Sequence, residues 1–443
     1  MRDYVLTAVV FALVPVCLFR PWLGVLAWYW LGLMNPHRLT WGFAFAMQFA
    51  MLIGGATLLG MLFARDRRPI PWERELVLVV MLLAYFTFTT FFAWAPDYAW
   101  PQLEKLAKII LMTVVATMFI YGKARIRYLL LVVAGSIGYY GIKGGIWSIV
   151  TGGGEQVLGP EGSFIEGNTA LSLALNMVIP LMVALAREEG VLWLRRALYA
   201  SAGLSAVASF FTYSRGGWLG LAVVIVLLMF QLKNTQRVFL ASIMVAIFLA
   251  AHSFLPDRVF TRADTLENYE QDCSANQRFM AWTVYWNIGK SNPLTGGGFQ
   301  LETVNDGRWL ALGDEKYMTC FGGAINSAAH SIYFQILGEH GFVAFLLFVL
   351  LLVSVQLKLS RLRREAKRRP EISWIGNYAT GLQIGLLAFM VSGAFLSLAY
   401  FDLPWLYYAL TVILSRELVA RSAPATVHST PIAAPSPVTG NRI

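Results

Sequence analysis

Apolar residues run through this chain in long blocks separated by short polar connections. The blocks fall near 4–34, 43–63, 75–94, 106–122, 128–150, 169–186, 192–213, 217–232, 238–255, 332–357, 377–400 and 402–416. Runs of about 17–25 apolar residues are long enough to cross a hydrocarbon core of roughly 30 Å as helices. Stretches such as Leu219 to Leu232 lack the two-residue alternation of membrane barrel strands. The pattern predicts an all-α polytopic membrane protein. It divides into helices with short loops over 1–255, one large polar loop over 256–331, and C-terminal membrane helices over 332–420. Residues 421–443 are rich in Pro, Ala, Ser and Thr and read as a disordered extension.

Charge gives this pattern a direction. Arg65, Arg67, Arg68 and Arg74 mark one connection as cytoplasmic, as do Lys123, Arg125 and Arg127, then Arg187, Arg195 and Arg196, then Lys233 and Arg237. The strongest case is 358–369, with seven Lys and Arg residues. The alternate connections are poor in positive charge, and 151–168 has none. The large loop is therefore expected on the non-cytoplasmic face. Residues 4–34 hold either one kinked crossing or two short helices broken at Arg20-Pro21. A cytoplasmic N-terminus requires one net crossing, which gives about twelve helices. The start, Met1-Arg2-Asp3 before a long apolar stretch, reads as an uncleaved anchor.

Composition agrees: 57% of the 443 residues are hydrophobic and 14% are charged, against roughly a quarter charged in soluble proteins. The net charge of +10 is accounted for by the basic connections, so it gives no reason to expect nucleic acid.

Candidate chemistry lies on the non-cytoplasmic side. His330, in Ala329-His330-Ser331, stands where the polar loop meets a membrane helix, and an imidazole there can exchange protons near neutral pH. A structural loop histidine is the plainer alternative. Arg215, in the short turn Tyr213-Ser214-Arg215-Gly216-Gly217-Trp218, implies a partner or a wet cavity at the interface; an anchor reaching headgroup phosphates explains it equally. Arg278 begins a stretch to Trp282 that reads as an amphipathic helix, followed by Pro293 and the glycines 296–298 as a tight turn. Its planar fork suits phosphate, although a solvated loop arginine is the commoner case.

Glu339 tempts as a partner for His330, but if 330–339 is one helix, nine residues at roughly 100° each put it on the opposite face. Cys273 and Cys320 form a disulfide if the loop faces an oxidising compartment, and remain two free thiols otherwise. Cys17 lies in the first apolar block. The acids and histidines have no metal-ligand spacing, and the triple glycines at 152–154 and 296–298 lack the Lys-Ser/Thr of a phosphate loop. No metal or cofactor is expected.

Taken together, these residues resemble the O-antigen ligase superfamily. His330-Ser331, nine residues, then Gly341 is similar to its histidine motif, and Gly338-Glu339-His340-Gly341 to its Glu-x-Gly segment. Ser214-Arg215-Gly216 resembles its Ser-Arg-Gly turn, and Arg278 through Gly298 its Arg…Trp…Pro-x-x-Gly-x-Gly run. Ser331 stands where Asn is common, and Ala344 where Gly is frequent. Met34-Asn35-Pro36-His37-Arg38-Leu39 and the run from Lys143 to Pro160 also look like exosortase-associated protein O-glycosylation ligases.

The resemblance implies a glycosyltransferase-C-like bundle in the bacterial inner membrane with its active site facing the periplasm. It implies inverting, ATP- and metal-independent transfer of a glycan from undecaprenyl diphosphate to lipid A–core, with a protein or another glycan as the alternative acceptor. His330 would be the base and Arg215 and Arg278 the pyrophosphate ligands, with Glu339 and Asn168 as secondary candidates. A lipid-linked glycan transporter or a non-catalytic envelope scaffold are the readings from other classes. A transporter is disfavoured because the polar residues gather at one face and not at the midplane.

Overall fold

A computed structural model describes residues 1–232, 234–237, 273–304, 307–314, 316–317 and 326–422. Among the described residues, the helices before the large loop are α1 (Arg2–Phe19), α2 (Pro21–Met34), α3 (Phe49–Phe63), α4 (Arg74–Thr90), α5 (Pro96–Phe119), α6 (Gly122–Val150), α7 (Gly167–Glu188), α8 (Leu192–Phe210) and α9 (Arg215–Met229). Within the loop lies α10 (Cys273–Ser291), and α11 (Ile332–Ala366), α12 (Ser373–Ser392) and α13 (Asp402–Ser422) follow it. Five of these stretches are long and apolar enough to cross a membrane: α1, α6, α7, α11 and the segment from Pro370 through α12 to Phe395. The molecule is an all-helical, multi-pass membrane protein. The expected span at 238–255, Cys320 and the tail from 423 lie outside the described residues.

Between lipid-embedded helices there is little hydrophobic driving force, so tight crossings depend on close packing of small residues. Two pairs of glycines four residues apart supply it. Gly141 and Gly145 of α6 lie against α8, where a Cβ on Gly145 would come 2.3 Å from the Leu204 carbonyl oxygen. Gly381 and Gly385 of α12 lie against α7, and a Cβ on Gly385 would come 2.4 Å from that of Met177. These contacts enclose α7, which is buried on nearly all sides from Ala170 to Ala186.

Ion pairs gather the basic connections at one end of the bundle. Arg125 meets Asp66 at 2.8 Å, Lys123 meets Glu188 at 2.9 Å, Arg127 meets Glu189 at 2.6 Å and Arg68 meets Glu417 at 3.1 Å. Glu189 and Glu417 are buried while their arginine partners reach the surface; what the pairs establish here is position.

Three apolar blocks differ from their expected form. The block 4–34 is not one net crossing. Asp3 accepts hydrogen bonds from the amides of Gly42 and Ala44, while Leu18 abuts Gly60 at the other end of α3. Thus α1 and α2 are antiparallel and meet at Arg20-Pro21. The N-terminus lies with residues 40–44, away from the basic end. The block 377–400 is helical only to Ser392; a 3-10 turn, Gly393–Phe395, and an extended stretch follow before α13. Finally, α11 is interrupted at Gly341, whose φ of 78° and ψ of −175° are not helical.

Candidate functional site

The site lies at the end of the bundle away from the basic connections, and α7 organises one side of it. Asn168, Ser172 and Asn176 recur every four residues and so share one face of that helix. Asn168 Nδ2 donates to the Thr212 carbonyl at 3.0 Å, Ser172 Oγ lies 2.8 Å from Ser209 Oγ, and Asn176 Nδ2 donates to the Gly217 carbonyl at 2.8 Å. These bonds hold the turn between α8 and α9 from beneath. Within that turn Tyr213 has a left-handed φ of 55°, and its hydroxyl donates to the Gly153 carbonyl. Ser214 caps α9 by accepting from the Gly217 amide at 3.1 Å. Arg215 is then the first residue of α9, adding a cation to the positive end of a helix dipole.

The second cation comes from the loop. On α10, the residues Asn276, Met280, Ala281, Val284, Tyr285 and Ile288 form a buried face that packs on α11, but Phe279, Trp282 and Trp286 lie outside that face, so the helix is apolar on both sides and not amphipathic as expected. One turn beyond Arg278, Trp282 stacks on Phe334 with ring centroids 5.3 Å apart and reaches Phe395 at 6.3 Å. Cys273, the first residue of α10, is disulfide-bonded, whereas Cys17 is a free buried thiol.

The glycine turn after α10 docks onto the break in α11. A helix interrupted at membrane depth frees carbonyl groups that lipid cannot satisfy. Here the Gly297 amide donates to the Gly338 carbonyl at 2.9 Å and the Gly298 amide to the Glu339 carbonyl at 2.8 Å. In return the Phe342 amide donates to the Pro293 carbonyl at 2.8 Å. Side chains cannot enter this contact: a Cβ on Gly341 would come 2.4 Å from the Pro293 oxygen, and one on Gly296 would come 2.5 Å from the Glu339 carbonyl carbon. Two segments that are separate in the chain therefore form one backbone-to-backbone joint.

His330 is set directly above this joint in the chain. Its φ is 48°, in the left-handed region, and its amide donates to Ser397 Oγ at 2.7 Å. Ser331 then caps α11, its Oγ accepting from the Tyr333 amide at 3.3 Å. The imidazole is partly buried. Burial first, and then the nearby Arg278 charge, hold its pKa below the usual 6.5, so it is uncharged at neutral pH. The segments that carry the three candidates meet at the connection 392–397. Gly216 lies against Phe395, Trp282 reaches the same ring, and His330 is tethered to Ser397.

Glu339 is engaged elsewhere. Its carboxylate accepts from the Gln300 amide at 3.1 Å and from the Tyr400 hydroxyl. Beside it His340 is fully buried, with Nδ1 2.6 Å from Thr89 Oγ1 and Nε2 2.9 Å from Tyr400 Oη, between Phe86 and Phe299. This Glu339–Tyr400–His340–Thr89 network and Ser397 were not anticipated. The run Ser392-Gly393 to Ser397, with its small polar residues in an apolar block, was the available signal. Among the described residues no three His, Cys, Asp or Glu side chains are grouped to hold a metal ion.

Comparison with known families follows these landmarks. Residues 1–190 match a family of unknown function (DUF5935), and residues 200–349 match the family described as O-antigen ligase. No curated protein matches the chain. Residues 200–349, which carry Arg215, Arg278, His330 and Glu339, thus form a region of the O-antigen ligase family, in agreement with the resemblance seen in the sequence.

Proposed function

We propose that the protein transfers a glycan from undecaprenyl diphosphate to a sugar hydroxyl of lipid A–core at the periplasmic face of the inner membrane. The observation that carries this reading is the placement of His330, partly buried at the head of α11, tethered to Ser397 and within the field of Arg278. An imidazole kept unprotonated at neutral pH is suited to act as a general base. In the reaction, His330 takes the proton of the acceptor hydroxyl as its oxygen attacks the anomeric carbon of the donor sugar. The bond from that carbon to the diphosphate oxygen breaks, and undecaprenyl diphosphate departs. A single displacement inverts the anomeric centre. Negative charge grows on the leaving diphosphate, where Arg215 and Arg278 stabilise it. With the leaving group already activated, neither ATP nor a metal ion has a step to perform.

Sidedness supports the periplasmic assignment. Basic connections favour the cytoplasm, and the site is at the opposite end. The Cys273 disulfide fits an oxidising compartment, with Cys320 as its proposed partner. Asn168 acts in this scheme as a positioning residue for the Arg215 turn, and Glu339 as one for the α11 break.

A protein hydroxyl is the second reading for the acceptor, and one feature favours it. The stretch that resembles exosortase-associated ligases packs on the Arg215 turn, with the Val157 amide donating to the Phe211 carbonyl at 3.1 Å. Purified protein given undecaprenyl-diphosphate glycan and either acceptor, with EDTA and no ATP, separates the two. Glycosylated lipid A–core is expected. Product on the protein acceptor alone would replace that assignment, and product on neither, or only after metal is restored, would contradict the mechanism.

A further inference from the structure

A second polar cluster lies away from His330, around a cavity of about 590 Å³ between α2, α3, α5 and the connection 35–48. Its size falls in the range of small-ligand sites. Four basic side chains border it: His37, Arg38, Lys105 and Lys108. Lys108 pairs with Glu104 at 2.6 Å. Among the described residues no carboxylate comes within ion-pair distance of Arg38 or Lys105, although the charge of buried Asp402 acts on Lys105. His37 Nδ1 and Arg38 Nε are buried without a hydrogen-bond partner there. Aromatic faces hold the cations in place, with Arg38 4.6 Å from the Phe45 ring centroid and Lys105 3.6 Å from that of Phe164.

The rest of the cavity is apolar. Leu58, Leu111 and Met112 line it, and α3 presents Gly54 and Gly55, of which Gly55 faces open space. A buried donor without a partner is costly. An anion at the mouth with a chain along the floor satisfies both halves. Free phosphate would leave the floor wet, and a neutral lipid would leave the donors unpaired.

We propose that this cavity binds the phosphate-bearing headgroup of an anionic lipid, with Arg38 and Lys105 as its main ligands and the Gly55 face of α3 receiving the chain. It is distinct from the centre at His330, which α9, α10 and α11 build. The connection 159–167 approaches both, since Gly162 abuts the Arg38 guanidinium while Asn168, just beyond, supports the Arg215 turn.

The test is lipid titration of the full-length protein in neutral detergent, read by native mass spectrometry, with phosphatidylglycerol, undecaprenyl phosphate and phosphatidylcholine. One anionic lipid should bind saturably, about tenfold or more tighter than phosphatidylcholine, as expected for charged hydrogen bonds. Arg38→Gln and Gly55→Leu should each remove that preference, the first by charge and the second by filling the cavity. Gly55→Leu is the safeguard against misfolding, because its side chain enters open space. His330→Ala should bind as the parent does. Tighter binding of undecaprenyl phosphate would name a polyprenyl carrier as the source, and equal binding a headgroup phosphate as such; either supports the site. Equal retention of phosphatidylcholine, or parental binding by both cavity variants, would overturn the proposal. Loss of binding in His330→Ala would overturn its separateness.

Discussion

The backbone of His330 is in a left-handed conformation that costs a non-glycine residue on the order of 1–2 kcal/mol. Ser397 holds its amide and Ser331 starts the helix immediately after it, so the strain is locked in by neighbours on both sides. The imidazole's lowered pKa gives a signed expectation. A base works unprotonated, so a pKa below 6.5 places the acidic limb of the kcat/KM profile below pH 6.5 and leaves activity level above it. Arg278→Gln removes the charge that contributes to the shift. Its limb should move to higher pH, whatever happens to the plateau; an unmoved limb would contradict the assigned electrostatics. At this scale the sequence was informative about charge. His330 and Arg215 stand out because few titratable groups border the spans away from the basic connections, and Arg278 by its place in the run to Trp282, Pro293 and the glycines 296–298. Ser397 and Tyr400 were hidden, because hydropathy over 377–400 cannot distinguish helix from the extended chain that follows Ser392.

Among the elements, the joint between the glycine turn and the α11 break determines how the loop is held. Gly341→Ala puts a Cβ on a positive φ and into the Pro293 carbonyl, and the strain alone is about 1–3 kcal/mol. We expect a clear fall in the thermal midpoint of the detergent-solubilised protein; an unchanged midpoint would show that the joint is not needed. Gly385→Val should weaken the α7–α12 crossing in the same assay, since its side chain meets the Met177 carbonyl. Glycines 296–298 were legible as a turn, but not what they dock against. Their partners lie some forty residues on, within an apolar run that gives no sign of a break apart from Gly341 itself. Glu339 falls on the face opposite His330 only if one helix runs through both, whereas His330 is left-handed and precedes α11; the bond of Glu339 to Tyr400 depends on the same unforeseen connection.

For the whole molecule, the hydrophobic blocks and the basic connections contained most of the architecture. The number of passes at the start did not follow from them, because Arg20-Pro21 suits either a kink or a reversal. The antiparallel α1 and α2 make a testable statement about sidedness. Trp41, 86% exposed, and Arg67 lie at opposite ends, with the N-terminus on the side of Trp41. In intact cells an impermeant maleimide should label Trp41→Cys and not Arg67→Cys, and an N-terminal tag should be accessible with Trp41. A tag protected like Arg67 would contradict the hairpin.

The central claim is that His330 drives glycan transfer, and purified protein with undecaprenyl-diphosphate glycan and acceptor tests it most directly. Loss of a general base lowers rates by about 10²–10⁴. His330→Ala should therefore form little or no product while keeping the parent's thermal midpoint, and the parent should yield a glycosylated acceptor without ATP or metal. Parental activity in the folded His330→Ala protein would contradict the account.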